Sequence, residues 1–150
     1  MGYVSPLSAG RLAIGATARF SGIEAGILLG GEAAPMTAMR MTVAAGQGAP
    51  LHISHEEDKL FQILHGRLLF VIAEKRIETV AGDALFVPRG IVHGFCAQGG
   101  KGEMLLVSTP ARHDRFFQAM DALPLPHRME DVAQVCQRFA QSIVGPVVTA

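Results

Sequence analysis

Between residues 36 and 108 the sequence swings from apolar run to turn signal and back roughly every eight to twelve positions. No other feature constrains the fold as much. In residues 36–44, Met39, Met41 and Val43 alternate with Arg40 and Thr42, the period of a strand with one buried face. Gly46, Gly48 and Pro50 break that run before a short strand at 51–54. A polar corner at 55–59 leads into a strand over 60–64, and His65-Gly66 reads as a turn before another at 68–72. Glu74-Lys75-Arg76 reads as a hairpin tip from which 77–80 returns. Runs at 84–87, at 91–97 and, beyond a loop at 98–102, at 103–108 complete the series. Roughly seven or more short strands of this kind predict an antiparallel sandwich or barrel.

After Pro110 the period lengthens. Phe116, Phe117 and Met120 sit at helical spacing, in a helix that Pro110 can open and Pro124 would end. Val132, Val135, Cys136, Phe139 and Ile143 form one apolar stripe, predicting a second helix. Its start is marked by Glu130-Asp131 and its end by Gly145-Pro146. Both helices are expected to cover the barrel or to join a dimer contact. Residues 1–35, rich in Gly, Ala and Ser, predict an irregular arm with one or two short strands. The chain therefore reads as a single domain, with an arm at 1–35, a barrel at 36–108 and a helical cap at 109–150.

Thirteen basic and thirteen acidic residues cancel, and Lys and Arg are not clustered. A balance of that kind argues against nucleic acid as a partner, since neutralising phosphates needs a basic face. No apolar run approaches the ~18 residues of a membrane span. The N-terminus lacks a charged start followed by a continuous apolar stretch, so a cytoplasmic location is expected. Cys96 and Cys136 are expected as buried, reduced thiols.

The candidate chemistry lies in two segments, GQGAPLHISHEEDKLFQILHG at 46–66 and GDALFVPRGIVHGFCA at 82–97. Residues two apart on a strand point the same way, so His52 and Ser54 share a side, as do His93, Phe95 and Ala97. The two imidazoles are predicted to meet inside the barrel, where a histidine pair from two strands can begin a metal site. Phe61, Ile63, Phe70, Phe86, Phe95 and Met104 are read as core or pocket wall, and Cys96 as pointing away. His65 is read as a surface residue, His113 and His127 as capping or interface groups, and Arg89 as fixing a loop. No P-loop, dinucleotide fingerprint or nucleophile elbow occurs.

These two segments resemble the first and second motifs of the cupin superfamily, and the tail is similar to that of small bacterial cupins grouped as quercetin-dioxygenase-like. The resemblance implies an all-β double-stranded β-helix, a jelly-roll barrel, here with two short C-terminal α-helices. It also implies a homodimer and one divalent metal ion (Fe, Mn, Ni, Cu or Zn) held in part by His52 and His93. The activity it implies is metal-dependent, of dioxygenase-like oxidoreductase or isomerase type, on a small molecule.

The sequence departs from that pattern. The second histidine of the first motif falls on Ser54, its glutamate on Lys59, and a polar position after His93 on Ala97. An ammonium in place of a carboxylate reverses the charge and turns an acceptor into a donor. His55 or Glu57 would replace a ligand only if the corner after Ser54 carried a bulge, and strand alternation opposes this for His55. Two readings stay open: a metal-dependent enzyme centred on His52 and His93, or a metal-free ligand-binding or sensing protein. In the second, Lys59, His52, His93 and Ser54, walled by Phe61 and Phe95, hold an anionic ligand. Lys59 extending outward to solvent is an equal expectation.

Overall fold

The computed structural model describes residues 2–149 of the chain. In chain order the elements are β1 (Ala16–Phe20), β2 (Ile23–Leu29), β3 (Thr37–Val43), β4 (Gly48–Ser54), β5 (Asp58–Ile72), β6 (Lys75–Val80), β7 (Ala84–Val87), β8 (His93–Thr109), α1 (His113–Asp121), α2 (Met129–Arg138) and β9 (Gln141–Val147). The strands form one nine-stranded sheet, in which β1-β2-β3-β8-β4-β9 are neighbours and β5 pairs with β6, β7 and β8. Every pairing between these strands is antiparallel. Curled on itself, the sheet is the predicted all-β barrel with two short helices.

The spine of the barrel is the β5–β8 pair, in register from Asp58↔Thr109 to Ile72↔His93. Here the structure corrects two expectations. His65-Gly66 is not a turn and 98–102 is not a loop, because β5 and β8 each run unbroken through these positions. Gly66, at φ 75°, absorbs register shifts between Ile63 and Arg67, so the glycine bends a strand instead of ending it. Along β5 the alternation holds: Lys59, Phe61 and Ile63 are buried, while Leu60 is exposed. The inward residues of β8 are His93, Phe95, Ala97, Met104 and Leu106. Phe86 is a further correction, for it stands 61% exposed between the inward-facing Leu85 and Val87 of β7. Cys96 lies on the other face of β8, with Leu69 and Val148.

Where a long second helix was predicted, α2 ends at Arg138 and Ala140 takes a left-handed conformation at φ 54°. The chain then reverses into β9, which was not foreseen. Its register on β4 pairs His52↔Ile143 and Ser54↔Gln141. Ile143 satisfies helical periodicity in the sequence, but the open edge of β4 offers Gln141, Ser142, Ile143 and, past a register shift, Val147 partners in a ladder.

Both helices lie over one end of the barrel. Helix α1 buries the stripe His113, Phe116, Phe117 and Met120. Its Asp114, fully buried, accepts hydrogen bonds from Thr37 Oγ1 at 2.8 Å and the Gly31 amide at 3.0 Å, which fixes the helix against β3 and the turn before it. Among the described residues no helix is long and apolar enough to cross a membrane.

Candidate functional site

Beneath the helices lies a cavity of about 300 Å³, near the lower end of the range for small-molecule sites. Its walls come from every layer of the molecule. Phe20 and Ile23 belong to the first hairpin, Met41 to β3, Phe61 to β5, Phe95 and Leu106 to β8, and Phe116, Phe117, Val132 and Cys136 to the helices. Exposed Ser21 and Ile143, with half-buried His127, mark its rim. Polar groups are few, and they fall into two buried clusters.

The first cluster is the predicted histidine pair with Lys59. His52 and His93 are direct partners across β4 and β8, and their ring centroids lie 4.2 Å apart. A side chain at Gly48 would collide with the Phe95 carbonyl oxygen, so the glycine lets β4 approach β8 closely enough for the two rings to meet. His52 Nδ1 donates to the Pro50 carbonyl at 2.7 Å, and His93 Nδ1 to the Ile91 carbonyl at 2.9 Å. These bonds leave each Nε2 as a bare acceptor. Lys59 reaches both, with Nζ 3.3 Å from His52 Nε2 and 3.1 Å from His93 Nε2. Lys59 is 2% exposed, so its side chain lies inside the barrel and not in solvent.

Burial first, then the charge of Lys59, hold His52 well below its ordinary pKa. The same causes in the same order, with His52 added, depress His93, so both rings stay neutral. Burial also lowers the Lys59 ammonium from 10.5 to about 7, against the opposing charge of Glu57.

The second cluster is not legible as a unit in the sequence, which offers Glu57 only as a replacement ligand, His113 as a capping or interface group, and Gln141 not at all. Glu57, 1% exposed, accepts from His113 Nδ1 at 2.9 Å and from Gln141 Nε2 at 3.2 Å. Gln141 in turn accepts from Ser54 Oγ at 2.7 Å. Ser54 is therefore engaged behind Gln141 instead of standing on the cavity wall beside His52. Burial alone would favour the neutral acid of Glu57, but the hydrogen bond from His113, with the charge of Lys59 and the hydrogen bond from Gln141, holds it below the usual carboxylate range. His113 is lowered chiefly by burial and by Lys59, and we read the pair as a carboxylate and a neutral imidazole whose Nδ1–H it receives.

Expectations for the remaining residues divide. His113 lines the cavity and His127 its rim, so neither is confined to a capping or interface role. His113 falls four residues before Phe117 on the α1 stripe, a helical spacing that could have exposed it as an inward residue. Gln141 carried no such signal, since it depends on the unforeseen β9. His55 points outward to Ser142 Oγ at 2.8 Å. Arg89 binds Asp58 with both its backbone amide and its guanidinium, holding the loop before β8. Phe61 packs edge-on against Phe70 and Phe95, at 5.1 and 6.0 Å between centroids.

The donor set does not fit a divalent cation. The Lys59 amine stands where the two Nε2 atoms converge, and the adjacent carboxylate, Glu57, is committed to His113 and Gln141. Among the described residues no three His, Cys, Asp or Glu side chains are grouped to hold a metal. Two imidazoles fall short of the three protein ligands usual for catalytic zinc.

Residues 39–110 match the family model described as a cupin domain. Among solved structures, an RmlC-like cupin from Shewanella frigidimarina superposes with a TM-score of 0.62 at 19% identity, over 71% of this chain and 96% of that one. A predicted oxalate decarboxylase from Thermotoga maritima gives 0.60 at 25% identity, over 66% and 97%. A polyketide cyclase from Streptomyces resistomycificus gives 0.57 at 23% identity, over 67% and 79%. No curated protein matches the sequence significantly.

Proposed function

Taking as premise that this chain belongs to the cupin superfamily through residues 39–110, we propose that its barrel is a metal-free receptor for a small ligand with an apolar body and an anionic head. The observation that carries this reading is Lys59 Nζ, buried at the cavity and held by two neutral imidazoles. A lysine ammonium has three donors, and His52 and His93 take two. The third is left for a carboxylate, enolate or phenolate, whose charge it would meet in a poorly solvated setting where such a bond is strong. Phe61, Phe95, Phe116 and Phe117 supply the apolar wall for the rest of the ligand. The neighbours named as a predicted oxalate decarboxylase and a polyketide cyclase carry names that refer to small molecules, which agrees with this choice. Metal-dependent dioxygenase-like or isomerase chemistry has no comparable support, because an amine occupies the centre of the donor set.

Isothermal titration with benzoate tests the proposal. Saturable binding at one site per chain is expected, weakened on the order of tenfold or more by Lys59→Met, the loss expected for one charged hydrogen bond. Binding that the substitution leaves unchanged, or no binding at all, would refute the assignment of Lys59. The same protein dialysed against zinc or nickel is expected to retain well under one equivalent by elemental analysis; a full equivalent lost in a His52→Ala, His93→Ala variant would revive the metal-dependent reading.

A further inference from the structure

We infer that Lys59 is a nucleophilic amine that condenses with an apolar aldehyde or ketone in the cavity, forming an imine; the inference rests on the cavity being a ligand site. Both histidines spend their Nδ1–H on backbone carbonyls, so the lysine nitrogen faces two lone pairs and must donate to each. The ammonium that meets an anion and the neutral amine are both accessible near neutral pH, and the neutral form has two N–H bonds and one lone pair at the corners of a tetrahedron. With both N–H bonds directed at Nε2 atoms, the lone pair takes the remaining corner, away from the imidazoles. The histidines thus accept hydrogen bonds from the neutral amine without protonating it. An apolar surround that disfavours the ammonium works in the same direction, as in other lysines activated by desolvation.

The rest of the site supplies what condensation needs. His113 lines the same cavity, with Nδ1–H held by Glu57 and Nε2 free as an acceptor. In the first step the lone pair of Nζ attacks the carbonyl carbon, the C–N bond forms and the π pair moves to oxygen. One proton of the now cationic nitrogen passes to an imidazole, for which His113 is the candidate, and from it to that oxygen, giving a neutral carbinolamine. In the second step the remaining N–H proton passes the same way to the hydroxyl, the C–O bond breaks and water leaves. The nitrogen pair left behind closes the C=N bond, so both amine protons end on the water. One carbonyl compound and one amine give one imine and one water, with no oxidant or reductant. The aromatic walls select an aryl or alkyl carbonyl compound over a polyhydroxylated one.

The chain has only three lysines, and the other two, Lys75 and Lys101, are exposed. Benzaldehyde with cyanoborohydride therefore gives a direct test, because the hydride fixes any imine as a benzyl group that peptide mass mapping can locate. Labelling at Lys59 is expected to run at least roughly tenfold faster than at Lys75 or Lys101. Benzoate should slow it, and intact mass should show one benzyl group that Lys59→Met no longer acquires. Mapping and competition use the wild-type protein, so the result does not depend on that variant folding. If benzoate binds but Lys59 is labelled no faster than the exposed lysines, the imine is refuted and the receptor stands. If benzoate does not bind and Lys59 is not labelled, both fall.

Discussion

Glu57 and Lys59 are two residues apart, both are buried, and each is held by imidazole or amide groups from other elements, yet the two clusters have different characters. Glu57 is saturated by His113 and Gln141, which tie α1 and β9 to the start of β5. Lys59 is held only by two neutral acceptors, at a cavity it helps to line. One cluster joins elements together. The other retains reactivity at a cost in stability, a division common where a fold carries a site.

The largest effect expected from testing this contrast is on stability. Glu57→Ala leaves the buried His113 and Gln141 donors without their shared acceptor, and a loss of about 2–5 kcal/mol is expected in urea unfolding, about 1–3 kcal/mol for each unsatisfied donor. Lys59→Met removes an equally buried charge but also its desolvation, and at pH 7 should stay within about 1 kcal/mol of wild type. Equal losses in the two variants would abolish the distinction.

Their pH dependences should also diverge. The folded pKa of Lys59 is depressed to about 7 from 10.5, so between those values the unfolded chain binds more protons and stability rises with pH. The slope reaches at most about 1.4 kcal/mol per unit and should vanish in Lys59→Met. The groups acting on the amine are Glu57, His52, His93 and His113, and the three imidazoles are already neutral in this range. Glu57 works at the other end: its pKa is lowered, so its contribution is present above the ordinary value of 4.5 and is lost as pH falls through the folded value. Unfolding free energies for wild type and Lys59→Met at pH 7 and pH 10 check the alkaline limb.

Next comes the charge at the point where the imidazoles converge. Lys59→Glu places a carboxylate between His52 and His93 and should raise zinc affinity on the order of a hundredfold by completing a three-ligand set. Adding Ser54→His, which would restore both altered ligand positions of the first motif, should help less than the pattern suggests, because Ser54 is engaged with Gln141. Zinc titrations of the single and double variants separate these outcomes. The smallest effect is expected for Ser54→Ala, about 1 kcal/mol for one hydrogen bond at the edge of the Glu57 network.

The barrel was legible because its information is local and periodic. Alternation marked Phe61, Phe95 and Met104, and the glycine-bounded histidine segments marked the strands that bring His52 and His93 together. Gly66 shows the limit: the same residue can end a strand or bend one, and the choice rests with the partner strand on the far side. Ile143 is another instance, since helical spacing and a free sheet edge competed for it and the edge prevailed.

Taken alone, the sequence determined the curled antiparallel sheet, the inward face of each long strand and the pairing of two histidines from distant segments. Tertiary structure decided whether Lys59 met water or imidazole, and it recruited Glu57, His113 and Gln141 into one network. The physical reason is that a strand's inward face follows from a two-residue period. The partner of a buried charge depends on which elements later close over it, and here those are α1 and β9, which lie outside the matched cupin segment.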